Sequence, residues 1–171
     1  MQTVSVFMTK YDDILSNFVY WISGFGYTHA ALCFDETAQD YYTFNYKGFR
    51  REHPFGNKRR YGKSICFKLE VSKEQQLRLK EIIQQMENSK VEWKYSLLGV
   101  VLCIFKIKHK FHGSYFCSQF VAELLEKSGI MQWKRDSSLY LPNYMCKELQ
   151  NHAGLKKMTL FPSIEKIEVQ K

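Results

Sequence analysis

The sequence predicts an α+β domain, an antiparallel sheet packed against helices, and three observations lead there. Among the 171 residues, 3–8 and 64–71 carry an apolar residue at every second position, and 28–34 and 41–49 are further strand-like stretches bounded by turn residues. Apolar residues at helical spacing recur in 14–22, in 72–86 and in the stretch that contains Cys117, Phe120, Val121, Leu124 and Leu125. The composition is 45% apolar with 13 Phe and 11 Tyr, enough to fill the core of one domain.

In chain order, residues 3–8 alternate and include Val4 and Val6, which marks a first strand. Asp12 and Asp13 then open a helical stretch with Ile14, Leu15, Phe18, Val19 and Ile22 at helical spacing. Acids suit the positive end of a helix, and Gly24 and Gly26 end it. Residues 28–34 form a second strand, 35–40 a polar turn, and the aromatic-rich 41–49 the returning strand. Residues 64–71 alternate again, completing an antiparallel meander. Ser72 with Gln75 is a capping-box signature. It begins a helix to about Met86, with Leu79, Ile82, Ile83 and Met86 turned inward. A second helical, apolar stretch covers 95–105. Ser114 is expected to cap a third helix containing Cys117, Phe120, Val121, Leu124 and Leu125, stopped at Gly129. Pro142 begins a short helix that ends before Gly154, and 164–169 is a final strand. No repeat or linker interrupts the chain, so residues 1–171 read as one domain.

The net charge of +8 is dispersed, with small clusters at Lys58, Arg59 and Arg60 and at Lys106, Lys108 and Lys110. No nucleic-acid recognition motif accompanies it and the aromatics fall at core-like positions, so no specific nucleic-acid partner is expected. Five cysteines, 33, 66, 103, 117 and 146, are an odd number without a C-x-x-C pair. A disulfide framework and a zinc site are therefore not expected, and no cofactor motif is visible. No signal-peptide pattern opens the chain, and the longest apolar run, 97–105, is about half a membrane span. A cytoplasmic protein is expected, with 97–105 a buried helix or a surface that touches lipid.

Cys117 stands out by position. In the first turn of its helix it meets unpaired N–H groups and the positive dipole end, which favour a thiolate. The same N–H groups can stabilise an oxyanion. Cys33 and Cys66 fall in strands, Cys103 in an apolar helix and Cys146 in a polar one, so none of these has a helix start to activate it. Among the histidines, His29 begins a strand after a Gly-rich turn, where its ring reaches a cleft edge as a base. His53, His109, His112 and His152 read as solvated. A hairpin centred near Thr37 places Asn45 opposite His29, able to accept the proton of the second ring nitrogen. Thr43 or Glu36 are the substitutes if the register slips. His29 and Cys33 do not make a zinc pair, because four strand residues span roughly 13 Å at about 3.3 Å each.

Two segments then resemble a known family. Thr28-His29-Ala30-Ala31-Leu32 is similar to the histidine half of the NlpC/P60 superfamily, and Phe116-Cys117-Ser118-Gln119-Phe120-Val121-Ala122-Glu123-Leu124 to its cysteine helix. Histidine ahead of cysteine is the order of the circularly permuted, papain-like branch. That branch includes the YiiX/YebB-like proteins and the relatives of lecithin:retinol acyltransferase. The likeness runs from the first strand to the Pro142 helix. It implies a papain-like fold with the cysteine at a helix N-terminus, a bacterial source, and a polar residue on the strand after the histidine, where Asn45 falls. It also implies a site-lining tyrosine ahead of the cysteine helix, for which Tyr95 is the candidate, and Ser118 beside the oxyanion position. Two departures stand against it: Val4-Ser5-Val6 replaces a Gly-Asp pair of many relatives, and Asn45 stands where many bacterial relatives carry Glu.

Together these features lead to a cysteine peptidase or amidase: Cys117 attacks an amide of a peptide, a peptidoglycan-type stem or a lipid conjugate, His29 serves as base, and a thioester forms. The alternatives are a lipid-directed acyltransferase on the same site, with 97–105 and its lysines as a greasy pocket with a cationic rim and weak membrane-surface contact, or a binding module that keeps the fold without catalysis.

Overall fold

The structure is a computed structural model that describes residues 1–11, 14–22, 24, 26–34, 41–53 and 63–161. It is an α+β molecule in which one antiparallel sheet packs against helices. The strands are β1 (Gln2–Thr9), β2 (His29–Cys33), β3 (Tyr41–Asn45), β4 (Gly48–Glu52) and β5 (Ser64–Val71), joined by a later strand, β8 (Leu155–Phe161). Their order is β4-β3-β2-β1-β5-β8. The first four strands meander; β5 returns to the free side of β1, pairing Val4 with Leu69 and Val6 with Phe67.

The helices are α1 (Ile14–Ile22), α2 (Lys73–Asn88), α3 (Leu97–Ile104), α4 (Cys117–Lys127) and α5 (Pro142–Leu149). A two-strand parallel pair, β6 (Lys94–Tyr95) with β7 (Ser114–Tyr115), ties the segments before α3 and α4 together. Val4, Val6 and Met8 of β1 and Ala30 and Leu32 of β2 meet Leu79 and Ile83 of α2 and Phe120, Val121 and Leu124 of α4 in the main core. Phe44 and Phe49 pack their rings against Phe120 at 5.0 and 5.7 Å, fixing α4 over the β3–β4 end of the sheet.

Local signals set several of these boundaries. Ser72 accepts from the Gln75 N–H while Gln75 accepts from the Ser72 N–H, so the capping box is complete. Gly129 stops α4 at φ +72°, with the Ile130 N–H bonded back to the Leu125 carbonyl, an arrangement that glycine adopts without a Cβ penalty.

Four expectations are corrected. The returning strand does not run through 41–49: it breaks at Asn45, whose side-chain oxygen accepts the Lys47 N–H, and Gly48 at φ +85° starts β4. Ser114 does not cap the cysteine helix; it lies in β7, the N-cap is Phe116, and Cys117 is the first helical residue. The 95–105 helix is shorter, capped by Ser96, which accepts the Gly99 N–H, and exposed on one side. His152 is not solvated. Its Nδ1 accepts the Gly154 N–H, so the proton sits on Nε2 and is donated to the Ile130 carbonyl at 2.9 Å. Asp12, Asp13, Glu36, Thr37, the Lys58, Arg59 and Arg60 cluster and residues 164–169 lie outside the described residues.

Gly48 has two reasons to be glycine. Beyond its left-handed φ, a Cβ there would stand 2.0 Å from the Trp93 carbonyl oxygen, in the segment leading to β6. Gly48→Ala is expected to destabilise the protein by about 2 kcal/mol or more, read as a lowered urea midpoint with unchanged slope.

Candidate active site

The site forms where the start of α4 meets the start of β2. Cys117 is buried, and its thiol lies 3.9 Å from the Thr28 carbonyl oxygen. The backbone N–H groups of Ala30 and Ser118 face the sulfur. Phe116 has no side-chain acceptor to cap the helix, so the first N–H groups of α4 are not consumed by a cap. The imidazole of His29, also buried, faces the same sulfur.

The other side of the ring is held by an arrangement whose proton positions can be worked out. Nε2 of His29 lies 3.1 Å from Thr43 Oγ1 and 3.4 Å from Glu52 Oε2. Thr43 spends its only hydroxyl proton on the Ala30 carbonyl at 2.7 Å, so towards the ring it can only accept. Nε2 therefore carries a proton, and Nδ1 is the nitrogen left to the thiol. Glu52 is fixed in turn by the hydroxyl of Tyr11, which donates to Oε2 at 3.2 Å, and by the amide of Asn45, which donates to Oε1. The Tyr11 ring tilts over the imidazole at 4.5 Å between centroids.

These contacts shift the acidities together. Burial alone would lower the His29 pKa, yet the Cys117 sulfur and the Glu52 carboxylate outweigh it and raise the ring from 6.5 to about 9. Burial would raise Glu52, but His29, Asn45 and Tyr11 bring it down to about 2. Burial likewise opposes ionisation of Cys117, and His29 with the two backbone N–H groups overrides it, so the thiol is more acidic than usual. Three other cysteines behave oppositely: burial pushes Cys66 and Cys146 up, and Cys103 to about 12. The arrangement favours a thiolate–imidazolium pair backed by a carboxylate.

Of the residues expected from the sequence, Cys117 and His29 are brought together. Asn45 is not the partner of the ring. The expected hairpin register holds, since Leu32 pairs with Tyr42 and that alignment puts 29 opposite 45. But the acceptor oxygen of Asn45 is committed to its own turn at Lys47, and its amide donates to Glu52. Thr43, expected as a substitute, does touch His29. Tyr95 sits half-buried in β6, opposite Tyr115, and packs against both apolar clusters, an anchor for the strand pair that precedes Cys117. Ser118 Oγ is fully buried with no hydrogen-bond partner among the described residues. Glu52 and Tyr11 were missed. The signal for Glu52 was the Asn45-Tyr46-Lys47-Gly48 turn, which folds Glu52 back beside Tyr41. Among the described residues no cluster of His, Cys, Asp and Glu is arranged to hold a metal ion. No family model matches the chain, and no protein of curated description matches its sequence.

Two measurements check the electrostatics. Alkylation of Cys117 followed against pH should show an inflection well below the free-thiol value of about 8.5, moving upward in His29→Ala. Stability should depend on pH on both flanks. The His29 contribution is full below pH 6.5 and is lost as pH rises through about 9, whereas that of Glu52 is full above pH 4.5 and is lost as pH falls towards about 2. Urea midpoints of the wild type should therefore fall at both ends, and Glu52→Gln should flatten the acid flank.

Proposed function

We propose that the protein is a thiol hydrolase of the permuted NlpC/P60, papain-like kind, cleaving an amide through a thioester on Cys117. The observation that carries this reading is the line Cys117–His29–Glu52, with the sulfur at an uncapped helix start. Nδ1 of His29 takes the thiol proton, and the sulfur attacks the carbonyl carbon. The oxyanion that develops is held by N–H groups at the start of α4. The C–N bond breaks, His29 returns its proton to the leaving amine, and a thioester remains. Water then attacks the thioester, giving up a proton to His29; the acid leaves and the thiol is restored.

Glu52 supports the charged ring throughout. A carboxylate is a better partner for an imidazolium than a neutral amide, and Asn45 serves to aim it. The carboxylate missing from the strand after the histidine is thus supplied by the strand after that one. Thr43 fixes the tautomer that leaves Nδ1 free.

The direct test is intact-mass analysis after exposure to small acyl anilides and acyl esters. The wild type should show an acyl adduct on Cys117 that turns over, and Cys117→Ala should show none. Glu52→Gln should slow turnover on the order of 10³-fold with KM little changed, because the ring is left without its charge partner. Absence of any adduct, together with a thiol that alkylates at the ordinary rate, would instead identify a binding module. Ser118→Ala should raise the unfolding free energy by about 1 kcal/mol, since it removes a buried hydroxyl that has no partner among the described residues. If turnover falls with it, Ser118 also serves the bound acyl group.

A further inference from the structure

Two helices of this molecule are apolar on the sides they turn outward. α3 reads Leu-Leu-Gly-Val-Val-Leu-Cys-Ile, and a helix that is apolar all round is ordinarily buried all round. Here Gly99, Val100 and Cys103 are buried, but Leu97, Leu98 and Val101 are exposed. α1 has no charged residue; it buries Val19 and exposes Phe18, Ile22 and Trp21, the last 68% accessible. The two helices meet on their inner sides, where Val19, Val100 and Cys103 belong to one cluster with Phe116 and Leu141, and the exposed Ile22 of α1 lines one cleft with Cys103, Ile104 and Lys106 at the end of α3.

The end of α3 extends this surface. The Lys106 N–H bonds to the Cys103 carbonyl and the Ile107 N–H to that of Leu102, closing a turn with Lys106 at φ 59°. Glycine usually occupies that position at a helix end, and a residue with a Cβ is disfavoured there. The turn sets Phe105, 70% exposed, and Ile107, 52% exposed, on either side of Lys106.

From this we infer that the α1–α3 face docks the protein onto an anionic lipid bilayer, with Trp21, Leu98 and Phe105 entering the headgroup–acyl boundary and Lys106 meeting lipid phosphates. Three features select this occupant. Exposed Trp and Phe beside aliphatic side chains suit that boundary. Basic groups stand at this surface: Lys106 and Arg135 line the cleft that holds Ile22, and Lys10 lies over the ring of Tyr20 of α1, in a chain of net charge +8. Like charge also opposes a second copy, whose lysines would be pressed against these. Lys108 and Lys110 reach back to Asp136, at 3.0 and 3.9 Å, and pin the segment beyond the turn to the body of the protein. Among the described residues no helix is long and apolar enough to cross a membrane, so the contact is with the surface. Phe116, the neighbour of Cys117, lies in the cluster beneath the face, which brings the candidate active site close to the bilayer. The inference does not depend on Cys117 being catalytic.

Trp21 is the reporter, because Trp133 is buried and Trp93 half-buried. Vesicles of phosphatidylcholine with phosphatidylglycerol should shift the emission of the wild type to the blue and carry the protein upward in flotation. Pure phosphatidylcholine should do so weakly, and the shift should vanish in Trp21→Phe. Phe105→Ser and, separately, Leu98→Ser should each reduce partitioning by about tenfold. Lys106→Gln should reduce it about fivefold on the anionic vesicles alone. An unchanged rate of Cys117 alkylation in each variant certifies the fold, and either of the two serine variants suffices. The inference is overturned if the wild type does not float with anionic vesicles, or if flotation survives both serine variants. A concentration-dependent dimer in light scattering that the same substitutions abolish would overturn it too, assigning the face to a second copy.

Discussion

A buried imidazolium needs a buried negative partner, and most of the site follows from that requirement. Taking a charged ring out of water costs several kcal/mol unless opposite charge and hydrogen bonds replace the solvent. In this protein the replacement is double: sulfur on one side of His29, and the Glu52 carboxylate with the Thr43 oxygen on the other. The carboxylate is itself out of bulk water and so needs its own donors, which Tyr11 and Asn45 provide. Each member is satisfied by the next, and the last, Asn45, is anchored by its own turn. A network closed in this way is rigid, and it holds the Cys117 sulfur and the His29 ring in a fixed geometry.

The sheet order explains how these residues meet. β2 carries His29 between β1 and β3; β3 brings Thr43 and Asn45; β4, one hairpin further, returns Glu52. The carboxylate thus comes from an edge strand two positions away from the histidine, reached by a long side chain. On the opposite side, the phenylalanine cluster of Phe44, Phe49 and Phe120 presses α4 against the same end of the sheet, so packing positions the sulfur. Gly48 is a joint of this assembly: it turns β3 into β4 and lets the Trp93 carbonyl approach.

The second apolar cluster has a different character. It lies under α1 and α3 and includes Phe116, so the Cys117 thiol stands at the junction of the main core and a smaller one. The outer sides of these two helices remain apolar although they are accessible. Elsewhere the polar network of Glu123 with Tyr115, Lys110 and Lys127 braces α4 by its middle, away from the sulfur.

What could be read from the sequence is what depends on neighbours in the chain. The capping box at Ser72, the stop at Gly129, the proline that opens α5 and the alternation of β1 and β5 are all local, and all appear where periodicity and turn chemistry place them. Cys117 and His29 were legible for the same reason, since a helix start and a strand start are properties of short segments. Other features were decided only in three dimensions. β8 was not legible because an edge strand with lysines at 156 and 157 has no buried face to impose alternation. The outward exposure of α3 was not legible, because an apolar run shows that a helix is apolar and not which neighbours cover it. Asn45 could be placed opposite His29 by counting residues, but whether it would meet the ring depended on where its oxygen and its amide found partners. Glu52 reaches His29 through space, across a hairpin the aromatic run concealed, and a side chain's hydrogen-bond partner is settled by packing rather than by its position in the chain.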